Sequence, residues 1–194
     1  MRIRIFTYLA ACLVLCSSTR ADIPTRWSGT SEITFSGTST LHSWSGKVSA
    51  DPFVATVMMS PEGLPLSLKA KVEVKAADMN TAEPKRDVNM HNDMNVTKFP
   101  LITGAIDTSF DKLLSGRKIP SKLPFTLTIL GKPQEVEATI SNCANKGDQA
   151  TFDLDFELSL KKCGITVPSV LLFISVGDAI KIHAPVKLVR SLKK

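Results

Sequence analysis

Aromatic residues are scarce in this sequence. They account for 6% of its 194 residues, and it contains only two tryptophans and one tyrosine. The tyrosine, Tyr8, lies in an apolar segment near the amino terminus, so residues 22–194 contain none. Proteins that bind single-stranded nucleic acids combine a basic groove with aromatic side chains on which the bases stack. The low aromatic content therefore argues against a nucleic-acid partner.

The sequence also lacks the motifs of several kinds of enzyme and metal site. It has no Gly-x-Ser-x-Gly motif, no Cys-x-x-Cys pair and no two histidines at the spacing of a zinc site. His91 follows Asp87 by one helical turn, a spacing that an ordinary surface contact explains better than catalysis. We expect no catalytic residue, no metal and no cofactor. An enzyme that uses His42 or His91, such as a hydrolase, is the alternative.

No apolar run is long enough to cross a bilayer as a helix. Residues 5–16 are largely apolar, but at 1.5 Å per residue they cannot span the roughly 30 Å of a bilayer core. A basic start precedes this segment and small residues follow it, which is typical of a secretory signal peptide. We predict a signal peptide at residues 1–21, a single domain at residues 22–194, and a periplasmic or secreted location. A lipoprotein anchor at Cys12 is the alternative.

Removing the predicted signal peptide changes both the charge and the cysteine count. Three arginines and no acidic residue are lost, so the net charge falls from +6 to +3. Such a mild and scattered positive charge does not indicate a polyanionic partner. Two of the four cysteines remain, Cys143 and Cys163. An even pair in an exported protein permits a disulfide, and two free thiols are the alternative.

Most of the chain alternates apolar and polar residues with a period of two, which indicates β-strands. Turn sequences rich in Gly, Pro, Asn and Asp separate the runs, and they predict roughly eight strands. One short helix is predicted from Pro84 to Met94, since proline suits a first helical position. These patterns predict one antiparallel β domain, either a sandwich or a barrel. The predicted strands include residues 33–35, 53–59, 66–74, 102–106, 123–129, 136–140, 152–160 and 180–188.

Alternation alone does not say which face of the strands lies inside. An outer-membrane barrel is apolar outside and carries aromatic girdles at both membrane interfaces. Residues 22–194 contain no tyrosine and only Trp27 and Trp44, and the chain ends in two lysines. We therefore expect an apolar interior and no stable membrane span.

Residues 22–194 contain eight phenylalanines and five methionines, more than a thin barrel needs. Met90 and Met94 lie four residues apart and therefore on one face of the predicted helix. An eight-stranded barrel either fills its interior with side chains or holds one small ligand. Methionine suits adaptable apolar sites, so a methionine-rich flap beside a barrel is typical of an apolar ligand pocket. Ordinary core packing is the alternative for each of these residues.

Four segments carry a resemblance to a known family. They are STLHSWSG at residues 39–46, RD with M, M and FPLI within residues 86–102, LTILGKP at residues 127–133, and SL, CGI, VPS and VGD within residues 158–178. In this order they resemble the motifs of the YceI-like family of exported polyisoprenoid-binding proteins. Gly131 and Cys163 depart from the residues more usual in the family at those positions.

The resemblance implies an all-β fold, an antiparallel eight-stranded lipocalin-like β-barrel with one short helix and a long apolar tunnel. The implied function is a carrier or binding protein, not an enzyme, for a polyisoprenoid, an isoprenoid quinone or a fatty-acid derivative. A structural or stress-related interaction module with a filled core is the alternative. The sequence leaves the oligomeric state open, and a dimer is one option.

Three groups of residues are candidates for contact with such a ligand. The candidate wall residues are Phe125, Leu127, Phe152, Leu154, Phe156, Ile180 and Ile182. The candidates for the mouth or flap are Met90, Met94 and Phe99. The candidates for contact with a polar head group are Arg86 and His91.

Overall fold

The computed structural model describes residues 23–61, 63–110, 121–166, 169–170 and 174–191. The predicted signal peptide and Cys12 lie outside the described residues. Within the described part, no helix is long and apolar enough to span a membrane.

The described chain is mostly β-strand. The helical elements are a 3₁₀ turn at Ala76–Asp78, α1 at Pro84–Asp93 and α2 at Leu160–Cys163. The strands are β1 Ile23–Thr38, β2 Ser43–Ser49, β3 Phe53–Met59, β4 Pro65–Lys75, β5 Leu101–Ser109, β6 Lys122–Ile129, β7 Lys132–Asn145, β8 Gln149–Ser159, β9 Ser169–Val170, β10 Ile174–Ser175 and β11 Ala179–Arg190.

Eight of the strands form a closed antiparallel barrel. Neighbouring strands follow the order β11, β8, β7, β6, β5, β4, β3 and β1, and β1 also pairs with β11 to close the ring. The predicted eight-stranded antiparallel barrel is therefore confirmed. The barrel sheet also contains one additional strand, β2, and β9 and β10 form a separate two-stranded sheet.

The additional strand β2 extends β3 along the same edge of β1. Ser49 of β2 lies opposite Glu32, and Phe53 of β3 lies opposite Gly29. These two registers differ by one residue, so residues 50–52 form a bulge between the strands. The pattern of alternation misses β2 because its sequence, SWSGKVS, has only two large apolar residues.

The apolar row of each strand faces the barrel interior. On β11, Ile180, Val186 and Leu188 are buried, whereas Lys181 and Lys187, which alternate with this row, are exposed. The outer face carries ion pairs, among them Lys69–Asp107 at 3.0 Å. His183 lies on this outer face, as its position in the alternation predicts, with its Nδ1 2.8 Å from Asp155 Oδ1.

The helix α1 lies at the end of the barrel where β4 ends and β5 begins. Because the strands are antiparallel, the β1–β2 turn, the β6–β7 turn and α2 lie at this end too. The backbone N–H and the hydroxyl of Thr81 both donate to Asp87 Oδ1, at 2.8 and 2.6 Å. His91 Nε2 lies 2.9 Å from the carbonyl oxygen of Met79. Asp87 and His91 thus each form hydrogen bonds with residues 79–81, which precede the helix, and not with each other.

The two cysteines of the barrel are both free. Cys143 is exposed and Cys163 is buried. Cys143 is near the carboxyl end of β7, whereas Cys163 is in α2 at the opposite end of the barrel, so no disulfide joins them. Gln134 Nε2 donates a hydrogen bond of 3.0 Å to Cys163 Sγ. Burial and the negative charge of Asp153 raise the pKa of the Cys143 thiol.

Candidate ligand-binding cavity

The barrel encloses a cavity of about 500 Å³. Inward residues of eight strands, namely β1 to β6, β8 and β11, supply most of its lining. Inward rows of β-barrels are continuous because alternate side chains of every strand point to the same face. The apolar character of the cavity lining therefore follows from the period-two pattern of the strands.

All seven wall residues that the sequence indicates line this cavity. Phe125 and Phe156 meet edge to face across it, with ring centroids 5.3 Å apart and an angle of 78° between the planes. Such an arrangement holds both rings in defined orientations. The complete set is Phe125 and Leu127 on β6, Phe152, Leu154 and Phe156 on β8, and Ile180 and Ile182 on β11.

Other wall residues of the cavity lie outside the predicted set of candidates. They come from β1, β2, β4 and β5; the alternation predicts β4 and β5 as strands, but the candidates were chosen from β6, β8 and β11. A full extension of the pattern to these strands would have found them. They are Ile33, Phe35, Val48, Ala70, Val72, Val74, Ile102 and Ile106.

The helix α1 covers the cavity with its methionine face. Met90 and Met94 both line the cavity, and Met94 is only 6% exposed. Val88 lies two residues from Met90, on the opposite face of the helix, and is 58% exposed. Met90 and Met94 thus face the cavity beside the polar residues of α1 that also line it, while the Val88 side of the helix lies in solvent.

Phe99 does not line the cavity, in contrast to its expected place at the mouth. Its ring packs against the β6–β7 turn, where a Cβ added to Gly131 would lie 3.2 Å from it. The Lys98 ammonium lies 5.2 Å from the ring centroid. The turn after Met94, in which Asn95 has a φ of 45°, carries the chain away from the mouth before Phe99 is reached.

Polar side chains form a rim at the α1 end of the cavity. The Arg86 guanidinium lies 5.8 Å from the centroid of the Trp44 ring, a distance at which a cation is attracted to an indole face. Burial raises the pKa of the Asp93 carboxyl. His91 is not part of the lining because its ring is turned toward Met79. The polar rim residues are Ser39, His42, Lys85, Arg86, Asn89 and Asp93.

The described part of the chain does not assemble a catalytic or metal-binding cluster from its titratable residues. No group of three or more His, Cys, Asp or Glu side chains that could hold a metal ion occurs among the described residues. His42 lies at the rim of the cavity, whereas His183 lies on the outer face of the barrel, so the two histidines do not share a site. What the arrangement can do chemically is to remove a long apolar group from water.

The closed antiparallel barrel with an internal cavity defines the structural class of this protein. The model of the YceI-like domain family matches residues 27–188, which include nearly the whole barrel from β1 to β11. The chain therefore belongs to the YceI-like domain family. No curated protein matches it in sequence.

Solved structures share this architecture. BcnA from Burkholderia cenocepacia is 15% identical, with a TM-score of 0.59 over 81% of this chain and 95% of its own. A polyisoprenoid binding domain from Saccharophagus degradans is 9% identical, with a TM-score of 0.51 over 87% and 100%. The YceI protein from Campylobacter jejuni is 20% identical, with a TM-score of 0.51 over 73% and 82%. At these identities the similarity establishes the fold alone.

Proposed function

We propose that this chain is an exported carrier that binds one long apolar molecule inside its barrel. The ligand class is a polyisoprenoid, an isoprenoid quinone or a fatty-acid derivative. The observation that carries the proposal is the cavity of about 500 Å³, which has apolar walls and a polar rim at one end. The similar domain from Saccharophagus degradans, described as polyisoprenoid binding, supports the same ligand class.

Burial of the apolar chain supplies the binding energy in this proposal. Each methylene group removed from water contributes about 0.8 kcal/mol. The apolar ligand is surrounded by the wall residues of β6, β8 and β11 and by Met90 and Met94. Arg86 at the rim is placed to contact its polar head group. Phe99 and His91 have no role in this proposal because neither lines the cavity. Since the walls are apolar, chain length decides affinity more than head-group chemistry does.

The size of the cavity favours a binding protein over the alternative of an interaction module with a filled core. Protein interiors are packed with few voids larger than a water molecule. An interior space of about 500 Å³ is far larger than such a void. A cavity of this size lies in the range of small-molecule sites, which are about 300–1,000 Å³.

A variant that fills the cavity tests the proposal. Ala184 lines the cavity and is 6% exposed, so Ala184→Phe would place a ring in the space reserved for the ligand. We expect binding of a fluorescent long-chain fatty acid to weaken at least about tenfold, since the ring displaces two or more methylene groups. The melting temperature is expected to stay close to that of the parent, because the ring occupies space that is otherwise unfilled.

The matched control is Ala179→Phe. Ala179 lies on the same strand but faces outward and is exposed. This variant is expected to bind the probe as the parent does. Undiminished binding by a folded Ala184→Phe protein, or an equal loss in both variants, would overturn the proposed function.

A further inference from the structure

The cavity ends before the barrel does. On β1, Ser31, Ile33 and Phe35 line it, but the next inward residues toward the amino terminus, Gly29 and Trp27, do not. On β3, the lining likewise stops at Ala55, although Val57 and Met59 continue the inward side of that strand. On this side of the barrel, the end opposite α1 is thus filled by buried side chains, among them Trp27 and Val57.

Trp27 occupies the barrel interior at the level where the cavity stops. It is 6% exposed and belongs to the main apolar core. In the sheet it lies directly opposite Ala55, which in turn lies opposite Ala70. Both small neighbours belong to the same apolar core cluster as the indole, and their short side chains leave room beside it. Large and small residues commonly alternate in this way across small barrels.

Hydrogen bonds fix the position of the Trp27 indole. Its Nε1–H donates to Thr25 Oγ1 at 2.9 Å, and the Thr25 hydroxyl donates to the carbonyl oxygen of Val57 at 3.0 Å. Thr25 is itself 8% exposed. Moving the indole would break buried hydrogen bonds as well as packing, which an incoming apolar chain cannot replace. The closed end is therefore a rigid stop.

The polar rim at the other end gives a bound molecule a defined direction. Its polar group can reach water and the Arg86 guanidinium only at the α1 end, so its apolar tail points toward Trp27. We infer that Trp27 sets the maximum length of the apolar chain that the cavity accepts. This inference rests on the proposed function and adds a limit on ligand size, namely chains that end at or above the Trp27 indole.

Competition with saturated fatty acids of increasing length tests this inference. In the parent protein we expect each added methylene to strengthen binding about fourfold until the chain reaches the indole. Beyond that length, affinity stops rising. Trp27→Ala should move this limit by several methylene groups, because even smaller core truncations open a cavity that holds a benzene ring. Val54→Ala truncates an exposed residue of β3; it is the control and should leave the limit where it is.

Because Trp27→Ala removes a buried side chain, a second measurement is needed that does not use this variant. The quenching of tryptophan fluorescence provides it. The chain contains only two tryptophans, so Trp44→Phe leaves Trp27 as the single reporter. A fatty acid brominated near its methyl end should quench Trp27 more strongly than one brominated near its carboxylate. The reverse order would refute the inference.

The outcomes separate this inference from the proposed function. If no fatty acid of any length binds the parent protein, the proposed function fails, and the inference fails with it. If fatty acids bind but affinity keeps rising with length, or the limit is the same in Trp27→Ala, only the role of Trp27 is wrong.

Discussion

At the scale of single residues, Gly29 decides where the ring of Phe53 can lie. A Cβ added to Gly29 would lie 2.2 Å from Cε2 of that ring, which is far inside van der Waals contact. One edge of the Phe53 ring thus occupies the space that a side chain at position 29 would take, and Phe53 also lines the cavity. The missing methyl group of Gly29 thus keeps part of the cavity open.

Gly29→Ala should reduce the space available to the ligand. The contact falls on the far end of the Phe53 side chain, so the ring can swing into the adjacent cavity. We expect weaker binding of the long-chain probe and a modest loss of stability, about 1 kcal/mol, within the usual range for overpacking. Probe titration and thermal unfolding measure the two effects.

Gly104→Ala is the matched control for this substitution. Gly104 lines the cavity, and its added Cβ would lie 3.8 Å from the Phe125 ring, an ordinary contact distance. Its effect on probe binding should therefore be smaller. A larger loss in Gly104→Ala than in Gly29→Ala would contradict this role of Gly29.

Individual site residues were predictable where they follow the alternation. Phe152, Leu154 and Phe156 are inward because every second residue of β8 is apolar. Phe99 and His91 were misplaced because contacts distant in sequence, with the β6–β7 turn and with Met79, determine their orientation. Local pattern carries no information about such contacts.

At the scale of elements, Asp178 holds the short helix α2 against the barrel. Its Oδ1 accepts the Lys161 N–H at 2.9 Å and its Oδ2 accepts the Ser159 hydroxyl at 2.7 Å. The hydrogen bond from the Lys161 N–H is the main reason that the pKa of Asp178 lies below its ordinary value, and the bond from Ser159 adds to it. Leu160 and Cys163 of α2 line the cavity, so this carboxylate positions part of the wall.

Asp178→Asn should lower the melting temperature at neutral pH. Because the folded-state pKa of Asp178 is lowered, its stabilising effect is complete above the unfolded-state value, near 3.8, and is lost as the pH falls through the folded-state value. The difference between parent and variant should therefore shrink in acid below that range. Thermal unfolding followed across pH by circular dichroism measures it.

Asp107→Asn is the control for this comparison. Asp107 forms an exposed ion pair with Lys69, and such pairs contribute little to stability. Its melting temperature should differ little from that of the parent at any pH. A loss in Asp178→Asn that stays constant from neutral to strongly acidic pH would contradict the account of α2.

Elements differed in how well the sequence revealed them. The helix α1 begins at Pro84 as predicted, since proline at a first helical position and the absence of a breaker before Met94 are local signals. The amino-terminal half of β1 was missed because its inward residues include Gly29 and Ser31, which hide the alternation. The strand β2 was missed for the same reason, as glycine and serine dominate it.

At the scale of the whole molecule, closure of the sheet is what creates the cavity. The pairing of β1 with β11 joins the first and last strands of the barrel. Trp27 lies opposite Arg190, and Phe35 lies opposite Ile182. The alternation alone left a sandwich and a barrel open, because closure depends on pairing between residues far apart in sequence. The family resemblance, not the strand pattern, pointed to a barrel.

An interior that packing leaves unfilled makes the protein sensitive to its ligand. A molecule that binds only the folded state raises stability in proportion to the logarithm of its concentration relative to its dissociation constant. The barrel with its ligand should therefore be more stable than the empty barrel. In its host, the protein is therefore expected to carry such a molecule.

Mass spectrometry of an organic extract of the protein, purified from its own host, tests this claim most directly. We predict that a long-chain apolar molecule co-purifies with the parent protein in an amount close to one per chain. The same extract of Ala184→Phe should contain much less of it, while Ala179→Phe should match the parent. An extract of the parent protein that contains no apolar molecule above the level found for Ala184→Phe would contradict the account.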